Sequence, residues 1–206
     1  RKEYKQRSLL ESDVKASPFE QFAGWWDDAV KSEIEEVNAM TLATAGSNAI
    51  PSARIVLLKD YSEKGFVFFT NYESHKGREL EENPNACLVF FWKELERQVR
   101  ISGRTEKISA AESDEYFASR PAGSRIGAWA SPQSHVIASR KEIDENTSKY
   151  QQQFQAGNIP RPPHWGGYIV IPHSLEFWQG RSNRLHDRIR YSLCKNGNWK
   201  TERLAP

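Results

Sequence analysis

The apolar positions first become regular after residue 17, where their spacing is that of a helix. Phe19, Phe22, Trp26 and Val30 recur every three or four residues and therefore share one helical face. The start of this segment matches a capping box with proline in the first turn, formed by Ser17, Pro18 and Glu20. Residues 1–16 are charged and aperiodic, so we expect an arm that orders only against another surface.

From residue 39 the pattern changes to that of strands. Runs at 39–45, 52–59 and 66–70, separated by polar turns, predict three strands in meander order. The run 86–92 is apolar throughout, which predicts a strand covered on one side by the core and on the other by a partner subunit. Further strands are predicted at 98–108, 168–171, 175–180, 186–193 and 199–204, the last two joined by an Asn-Gly hairpin.

Helical segments interrupt these strands at irregular intervals. They are predicted at 74–82 with Ser74 as cap, at 109–120, at 124–130 and at 139–154 on the surface; capping boxes begin the second and the last. This arrangement predicts an α+β fold, mainly antiparallel β, in the form of a barrel with peripheral helices. We divide the chain into an arm, 1–16, and a single domain, 17–206.

Composition narrows the function classes. The chain has 206 residues, of which 38% are hydrophobic, and a formal net charge of +2. Such a balanced charge argues against nucleic acid or a membrane surface as the main partner, and no apolar run is long enough to span a bilayer. The two cysteines, Cys87 and Cys194, stand in unrelated contexts, which argues against a zinc site or a disulfide framework. We therefore expect a cytoplasmic protein, leaving open a targeting segment upstream.

The stretch 176–188 carries the densest set of chemical groups in the chain. It places two carboxylates, two aromatic rings, three arginines and a histidine around a Gly-Arg-Ser-Asn turn. A plain hairpin with an exposed basic turn remains the alternative to a site at this point.

Two other segments combine cations with hydroxyl groups near a helix end. Residues 70–78 place His75 and Lys76 at a helix start capped by Ser74, where a bound anion would offset the unfavourable dipole interaction of the cations. Residues 116–124 offer Tyr116, Arg120 and Ser124, groups that coordinate phosphate oxygens. These clusters predict two phosphates or one polyanion, although solvated basic turns would read the same way.

Two further cations, Arg54 and Lys59, lie at the ends of the apolar run 54–59. Arg54 and Lys59 point to opposite faces of a regular strand unless a bulge intervenes. The chain lacks the glycine-rich loops of dinucleotide and nucleoside-triphosphate sites and a serine–histidine–aspartate set. This favours chemistry performed with a bound organic cofactor.

In eleven stretches, taken in order along the chain, the sequence resembles the pyridoxamine 5′-phosphate oxidase family. The stretches are 1–4, 54–59, 68–71, 96–99, 116–121, 126–129, 133–134, 165–167, 176–180, 184–188 and 203–206. The resemblance implies a split β-barrel homodimer with two FMN sites at the subunit interface. It also implies oxidation of pyridoxamine and pyridoxine 5′-phosphates to pyridoxal 5′-phosphate, with dioxygen reduced to hydrogen peroxide and ammonia released from the amine.

The resemblance further implies a role for individual residues. FMN would be held by one copy through Arg54, Ile55, Val56, Leu57, Leu58, Lys59, Phe69, Thr70, His75, Lys76 and Gln98, and by the other through Gln133, Ser134, Trp178 and Arg188. The substrate phosphate would meet Lys59, Tyr116, Arg120 and Ser124. Arg184 and His186 would be catalytic, reaching the substrate ring across the interface, and Arg1, Lys2, Glu3 and Tyr4 would close over the site as a lid.

One position departs from the family pattern. His75 stands where the family more often has arginine, and a neutral imidazole binds phosphate less well than a forked guanidinium. A split-barrel protein that holds FMN or pyridoxal phosphate without turnover therefore stays open as a second hypothesis. A single-strand nucleic-acid binder is the third, although no basic stripe supports it.

Overall fold

The computed structural model describes residues 3–155 and 157–206, which form an antiparallel sheet flanked by helices. The strands are β1 Ala39–Ala45, β2 Pro51–Leu57, β3 Asp60–Ser62, β4 Gly65–Asn71, β5 Asn85–Trp92, β6 Arg97–Lys107, β7 Trp165–Gln179, β8 Asp187–Leu193 and β9 Trp199–Leu204. The helices are α1 Pro18–Lys31, α2 His75–Glu82, α3 Ala110–Ser119, α4 Ala122–Ala130 and α5 Arg140–Gln153. The fold class predicted from the sequence is confirmed.

The order of the strands departs from a simple meander. Neighbours run β2-β1-β5-β6-β7-β4-β3, and β8 and β9 extend the sheet from β7. The third predicted strand, β4, pairs with β7 and not with β2, so the prediction of three strands in meander order was wrong. The first half of β7 pairs with β4 and the second half with β8, which lets one long strand join two parts of the sheet.

Strand β7 also corrects the prediction of two separate strands at 168–171 and 175–180. It continues through Pro172 because the pairing with β6 shifts register between Ser102 and Gly103. A Cβ atom at Gly103 would lie 2.3 Å from the carbonyl oxygen of Ile171, so only glycine allows this close approach.

Helix α1 covers the core with a face slightly rotated from the predicted one. Phe22, Trp25 and Ala29 are buried, whereas Val30 is 51% exposed. The hydroxyl of Ser17 accepts a hydrogen bond from the amide of Phe19 rather than from Glu20, so the predicted capping box is not formed there.

The other two predicted capping boxes had different outcomes. The box of Ser109 and Glu112 at α3 is formed in both directions. Ser139 at α5 makes no side-chain cap bond. Helix α5 contributes no buried residue to the core among those described, which confirms its predicted place at the surface.

Strand β5 is apolar on both faces, but its two faces have different environments. Leu88, Phe90 and Trp92 lie in the core, while Phe91 on the opposite face is 53% exposed. A second, smaller apolar cluster of Phe117, Ile126, Ile159 and Trp165 lies under α3 and α4. No helix in the described part of the chain has the length and apolar character needed to cross a membrane.

Candidate active site

A cleft of about 530 Å³ opens between β2, the end of β4 and the helices α2, α3 and α4. It is lined by Arg54, Ile55, Val56, Leu57, Lys59, Phe69, Thr70, Asn71, Lys76, Tyr116, Arg120, Pro121, Ser124, Gln133 and Trp165. Four of these side chains are cations, and no carboxylate occurs among the described residues that line the cleft. The cleft is therefore suited to an anionic ligand of several groups.

Arg54 is held in place from below by a buried carboxylate. The carboxylate of Glu79 lies 3.2 Å from the Arg54 guanidinium and accepts hydrogen bonds from Thr44 (2.6 Å) and Ser52 (2.7 Å). Although burial raises the pKa of Glu79, these two bonds and the nearby cations outweigh that effect and lower it. Arg54 is thus fixed in one orientation at the cleft wall.

Strand β2 ends at Leu57, so the expectation that Arg54 and Lys59 point to opposite faces of one regular strand does not apply. Lys59 lies beyond the regular strand, and its amide donates to the carbonyl of Val67 on β4. Arg54 and Lys59 can therefore line the same cleft despite their odd separation. The side chain of Leu58 is 4% exposed and belongs to the core rather than to the cleft.

Lys76, in the first turn of α2, is the most perturbed cation of the site. Its ammonium donates to the hydroxyls of Thr70 and Ser74 and to the amide oxygen of Gln133 at 2.8 Å. Burial, together with the charge of Arg54, lowers the pKa of Lys76 to about 8. A bound anion would reverse that effect, since it would supply the missing counter-charge.

A stack of aromatic rings forms the opposite wall. The rings of Phe69 and Tyr116 stack with centroids 3.9 Å apart, Trp165 continues the stack at 5.3 Å from Phe69, and the guanidinium of Arg120 lies 4.6 Å from the Trp165 ring. Burial lowers the pKa of Arg120, and its buried Nη1 atom has no hydrogen-bond partner among the described residues. A buried donor of this kind needs an acceptor, which a water molecule or an oxygen of a bound ligand would supply.

Three of the predicted site residues outside the cleft, Gln98, Trp178 and Arg188, form a row across β6, β7 and β8. Gln98 is directly opposite Trp178, which is directly opposite Arg188, so the three side chains share one face of the sheet. Phe91 on β5 continues this row beyond Gln98. None of these residues lines the cleft within the described chain.

Arg184 and His186 lie in the turn between β7 and β8, close to this row. Asn183 and Arg184 both have left-handed backbone conformations, with φ of 57° and 64°. Two consecutive non-glycine residues in this region are costly, which is typical of strained turns at functional sites. The Nδ1 atom of His186 accepts a hydrogen bond from the Arg181 amide at 3.0 Å, and its ring lies 4.6 Å from that of Trp178.

Arg188 is oriented by a carboxylate much as Arg54 is. Its Nε and Nη2 atoms donate to the two oxygens of Glu176 at 2.9 and 3.2 Å, and its Nη1 donates to the carbonyl of Ala205. The bond to Glu176 raises the pKa of Arg188. The cleft and the row around Trp178 therefore each contain an arginine that is held in one orientation by a buried carboxylate.

The structure regroups several predicted residues. Gln133, expected from the other copy, contacts Lys76 of its own chain, and Gln98 lies beside Trp178 rather than in the cleft. His75 is mostly exposed, 3.6 Å from Glu79, and Ser134 has a left-handed backbone; neither lines the cleft. The predictions for Arg1 and Lys2 lie outside the described residues, whereas Tyr4 packs against Trp178.

Sequence reasoning missed the residues that orient the arginines. Glu79 follows His75 by four positions, so one carboxylate facing the cations of α2 was a signal available in the sequence. Glu176 and Asp187 were visible as acids among arginines, but their partners on other strands were not.

Comparison with known families covers most of the chain. The family model described as "Pyridoxamine 5'-phosphate oxidase" matches residues 26–154, and the model described as "Pyridoxine 5'-phosphate oxidase C-terminal dimerisation region" matches 165–206. The proteins named pyridoxine/pyridoxamine 5′-phosphate oxidase of Trichormus variabilis and Ralstonia pickettii are each 56% identical over 206 residues. The alignments span 100% of this chain and 96% and 97% of those proteins, respectively.

Two solved structures are similar in fold. PhzG from Burkholderia lata 383, solved with tetrahydrophenazine-1-carboxylic acid, matches with a TM-score of 0.90 at 32% identity over 96% of this chain and 98% of that chain. A pyridoxamine 5′-phosphate oxidase-related, FMN-binding protein from Nostoc punctiforme matches with a TM-score of 0.72 at 16% identity over 94% of this chain and 100% of that chain. The second likeness concerns the fold alone.

Proposed function

Because the chain belongs to the pyridoxamine 5′-phosphate oxidase family, we propose that its two half-sites assemble across a homodimer into the active sites of that reaction. The protein is an FMN-dependent oxidoreductase of vitamin B6 metabolism, acting on pyridoxamine and pyridoxine 5′-phosphates. Within one chain the cleft and the row around Trp178 are separate. In the proposed dimer, the row of the second copy lies beside the cleft of the first.

Two-fold symmetry allows one type of contact to complete both sites. In an isologous dimer the cleft of one copy faces the row of the other, and the same contact is then repeated. The row and the turn with Arg184 and His186 lie in the segment matched by the dimerisation model, 165–206, apart from Gln98 and Phe91. The half-exposed Phe91 at the end of this row is a further apolar group for the interface to cover.

The donors in the cleft fit two phosphorylated ligands. Arg54, Lys76 and Gln133 form one group, suited to the FMN phosphate, and Lys59, Tyr116, Arg120 and Ser124 form another, suited to the substrate phosphate. The unpartnered Nη1 atom of Arg120 and the lowered pKa of Lys76 are the marks of a site built for anions. The residues present therefore fit FMN and a phosphorylated substrate together.

Arg54, Lys76 and Gln133 would hold FMN, which would supply the redox chemistry, as acceptor of a hydride from the C4′ carbon of the substrate with dioxygen as the final electron acceptor. The chain supplies binding, orientation and control of protons. Arg184, held by a strained turn, orients the pyridine ring and stabilises charge on it. The amide of Arg181 occupies Nδ1 of His186, so the neutral imidazole carries its proton on Nε2 and serves as a hydrogen-bond donor there.

The observation that carries the proposal is the cleft with four cations and no lining carboxylate among the described residues. The test is an absorption spectrum of the purified protein, followed by anaerobic addition of pyridoxamine 5′-phosphate. We expect a flavin spectrum that bleaches on addition and recovers in air with formation of peroxide. A yellow protein that does not bleach would support the non-catalytic binder instead, and a colourless protein that fails to bind added FMN would refute both.

The proposed location is the cytoplasm. Cys87 and Cys194 are both free thiols, which suits a reducing compartment. Fractionation of cells that express the tagged full-length protein would test this proposal.

A further inference from the structure

The described part of the arm, residues 3–16, packs against the sheet and reaches the row around Trp178 at Tyr4. Leu9 is buried, and the amides of Lys5 and Gln6 both donate to the carboxylate of Glu96. The ring of Tyr4 lies 5.8 Å from Trp178 and 6.0 Å from His186. The arm thus reaches the group proposed to act on the substrate ring.

The position of the Tyr4 ring requires a glycine at residue 180. A Cβ atom at Gly180 would lie 2.7 Å from the Tyr4 ring, a distance that no side chain tolerates without moving. The hydroxyl of Ser182 in the following turn donates to the carbonyl of Tyr4 at 3.2 Å. The arm and the catalytic turn are therefore packed as one unit.

Four charged residues, Glu11, Arg181, Asp187 and Arg203, join the arm to this turn; we call them the arm cluster. Arg203 on β9 donates to both oxygens of Glu11, to the carbonyl of Leu9 at 2.8 Å and to Asp187 at 2.9 Å. Asp187 also accepts from the Leu9 amide and from the Arg181 side chain, each at 3.0 Å. One arginine and one carboxylate therefore bind the arm, the turn and the last strand together.

Asp187 connects the arm cluster to His186. Asp187 directly follows His186, and its side chain is 14% exposed. Arg181, which it binds, provides the amide that occupies Nδ1 of His186. The hydrogen bond from Arg203 lowers the pKa of Glu11 to about 2, so the carboxylate stays charged even in mildly acidic solution.

We propose that Glu11, Asp187 and Arg203 are positioning residues, which hold Tyr4 over the catalytic turn and thereby raise the affinity for the substrate. They act through Tyr4 and His186 and do not touch the substrate themselves. This inference rests on the proposed function, because it assumes that the substrate ring binds beside His186.

The test compares Glu11→Gln and Arg203→Lys with Glu202→Gln in the FMN-loaded homodimer. Glu202 neighbours Arg203 on the same strand and pairs with Arg190 at 3.0 Å, away from the arm, so it is a matched control for loss of an ion pair. A forked but partly exposed pair contributes modestly, and we expect KM for pyridoxamine 5′-phosphate to rise about twofold to fivefold. Turnover number and FMN content should stay at the level of the control.

Three further measurements separate positioning from general stability. Trypsin should cleave the arm after Lys5 and Arg7 faster in both variants than in Glu202→Gln, by a similar factor and at an unchanged melting temperature. Gly180→Ala, which displaces Tyr4 directly, should raise KM in the same way without affecting the ion pairs. The double variant of Glu11 and Arg203 should resemble the Arg203→Lys single variant, since the contact with Glu11 is among those that Arg203→Lys already weakens.

Specific outcomes overturn the inference. Unchanged KM and arm cleavage relative to the control would show that the cluster does not position the arm, and equal losses of FMN and melting temperature with unchanged KM would make it merely structural. If the wild-type protein does not oxidise the substrate, the proposed function fails. Arm cleavage, which needs no substrate, would still decide whether the cluster holds the arm.

Discussion

Replacing Lys76 by arginine should remove a pH dependence that we expect in FMN binding. In the free protein, burial and Arg54 lower the pKa of Lys76 to about 8. A phosphate bound beside the ammonium favours the charged form and raises that pKa again. FMN affinity should therefore be full below about pH 8 and should fall as the pH rises through that value, because binding must then restore a proton.

The expected size follows from the same pKa. At about pH 9, roughly nine-tenths of a group with a pKa of about 8 is neutral, which corresponds to a Kd about tenfold weaker. Since Lys76 is partly exposed, screening reduces this effect, and we expect a rise of about threefold to tenfold. In the apoprotein, the cost of the buried ammonium is present below pH 8 and is relieved as the pH rises towards the ordinary value of 10.5.

The assay is a flavin fluorescence titration of the apoprotein across this pH range, with calorimetry in two buffers of different ionisation heat. Wild type should take up as much as about one proton per FMN above pH 8, and Lys76→Arg should take up none because guanidinium stays charged. Arg78→Gln, an exposed cation of the same helix, should behave as wild type, and riboflavin, which has no phosphate, should show no such dependence. A slope shared by wild type and Lys76→Arg would refute the reasoning.

Three other predictions concern the row around Trp178 and the turn between β7 and β8. Arg184→Ala should lower turnover by about a hundredfold while FMN content changes little, and equal losses in steady-state rate and flavin absorbance would remove its catalytic role. Glu176→Gln should weaken FMN binding and lower the free energy of unfolding by about 1–3 kcal/mol, because Arg188 and Arg100 lose a buried counter-charge; a denaturant titration would measure this, and wild-type stability would contradict it. Phe91→Asp should shift light-scattering mass from dimer to monomer and reduce FMN content together, and a stable dimer with full flavin would exclude Phe91 from the interface.

Local signals in the sequence were sufficient for most of the secondary structure. Ser74 and Ser109 cap the helices that were predicted from them, since a capping hydroxyl acts within one turn of the chain. The Asn-Gly hairpin before β9 was also predictable, because Gly197 adopts a φ of 83° that favours glycine. The resemblance to the family came from motifs in a fixed order, and the matched models confirm it.

The placement of the site residues required the tertiary structure. Gln133 is joined to Lys76 by a side-chain hydrogen bond, and Gln98 is joined to Trp178 by the pairing of β6 with β7; both contacts connect residues far apart in sequence. The merging of two predicted strands into β7 depends on a register shift at Gly103, which alternation within β7 cannot reveal.

By itself, then, the sequence determined the fold class, the family, the cofactor and the candidate residues, because capping, period and motif are properties of neighbouring positions. Only the tertiary structure decided which cations share a cleft, which carboxylates lock Arg54 and Arg188, and how Asp187 and Arg203 hold the arm against the turn between β7 and β8. Those contacts join elements far apart along the chain, and their geometry arises only when the strands, the helices and the arm pack together.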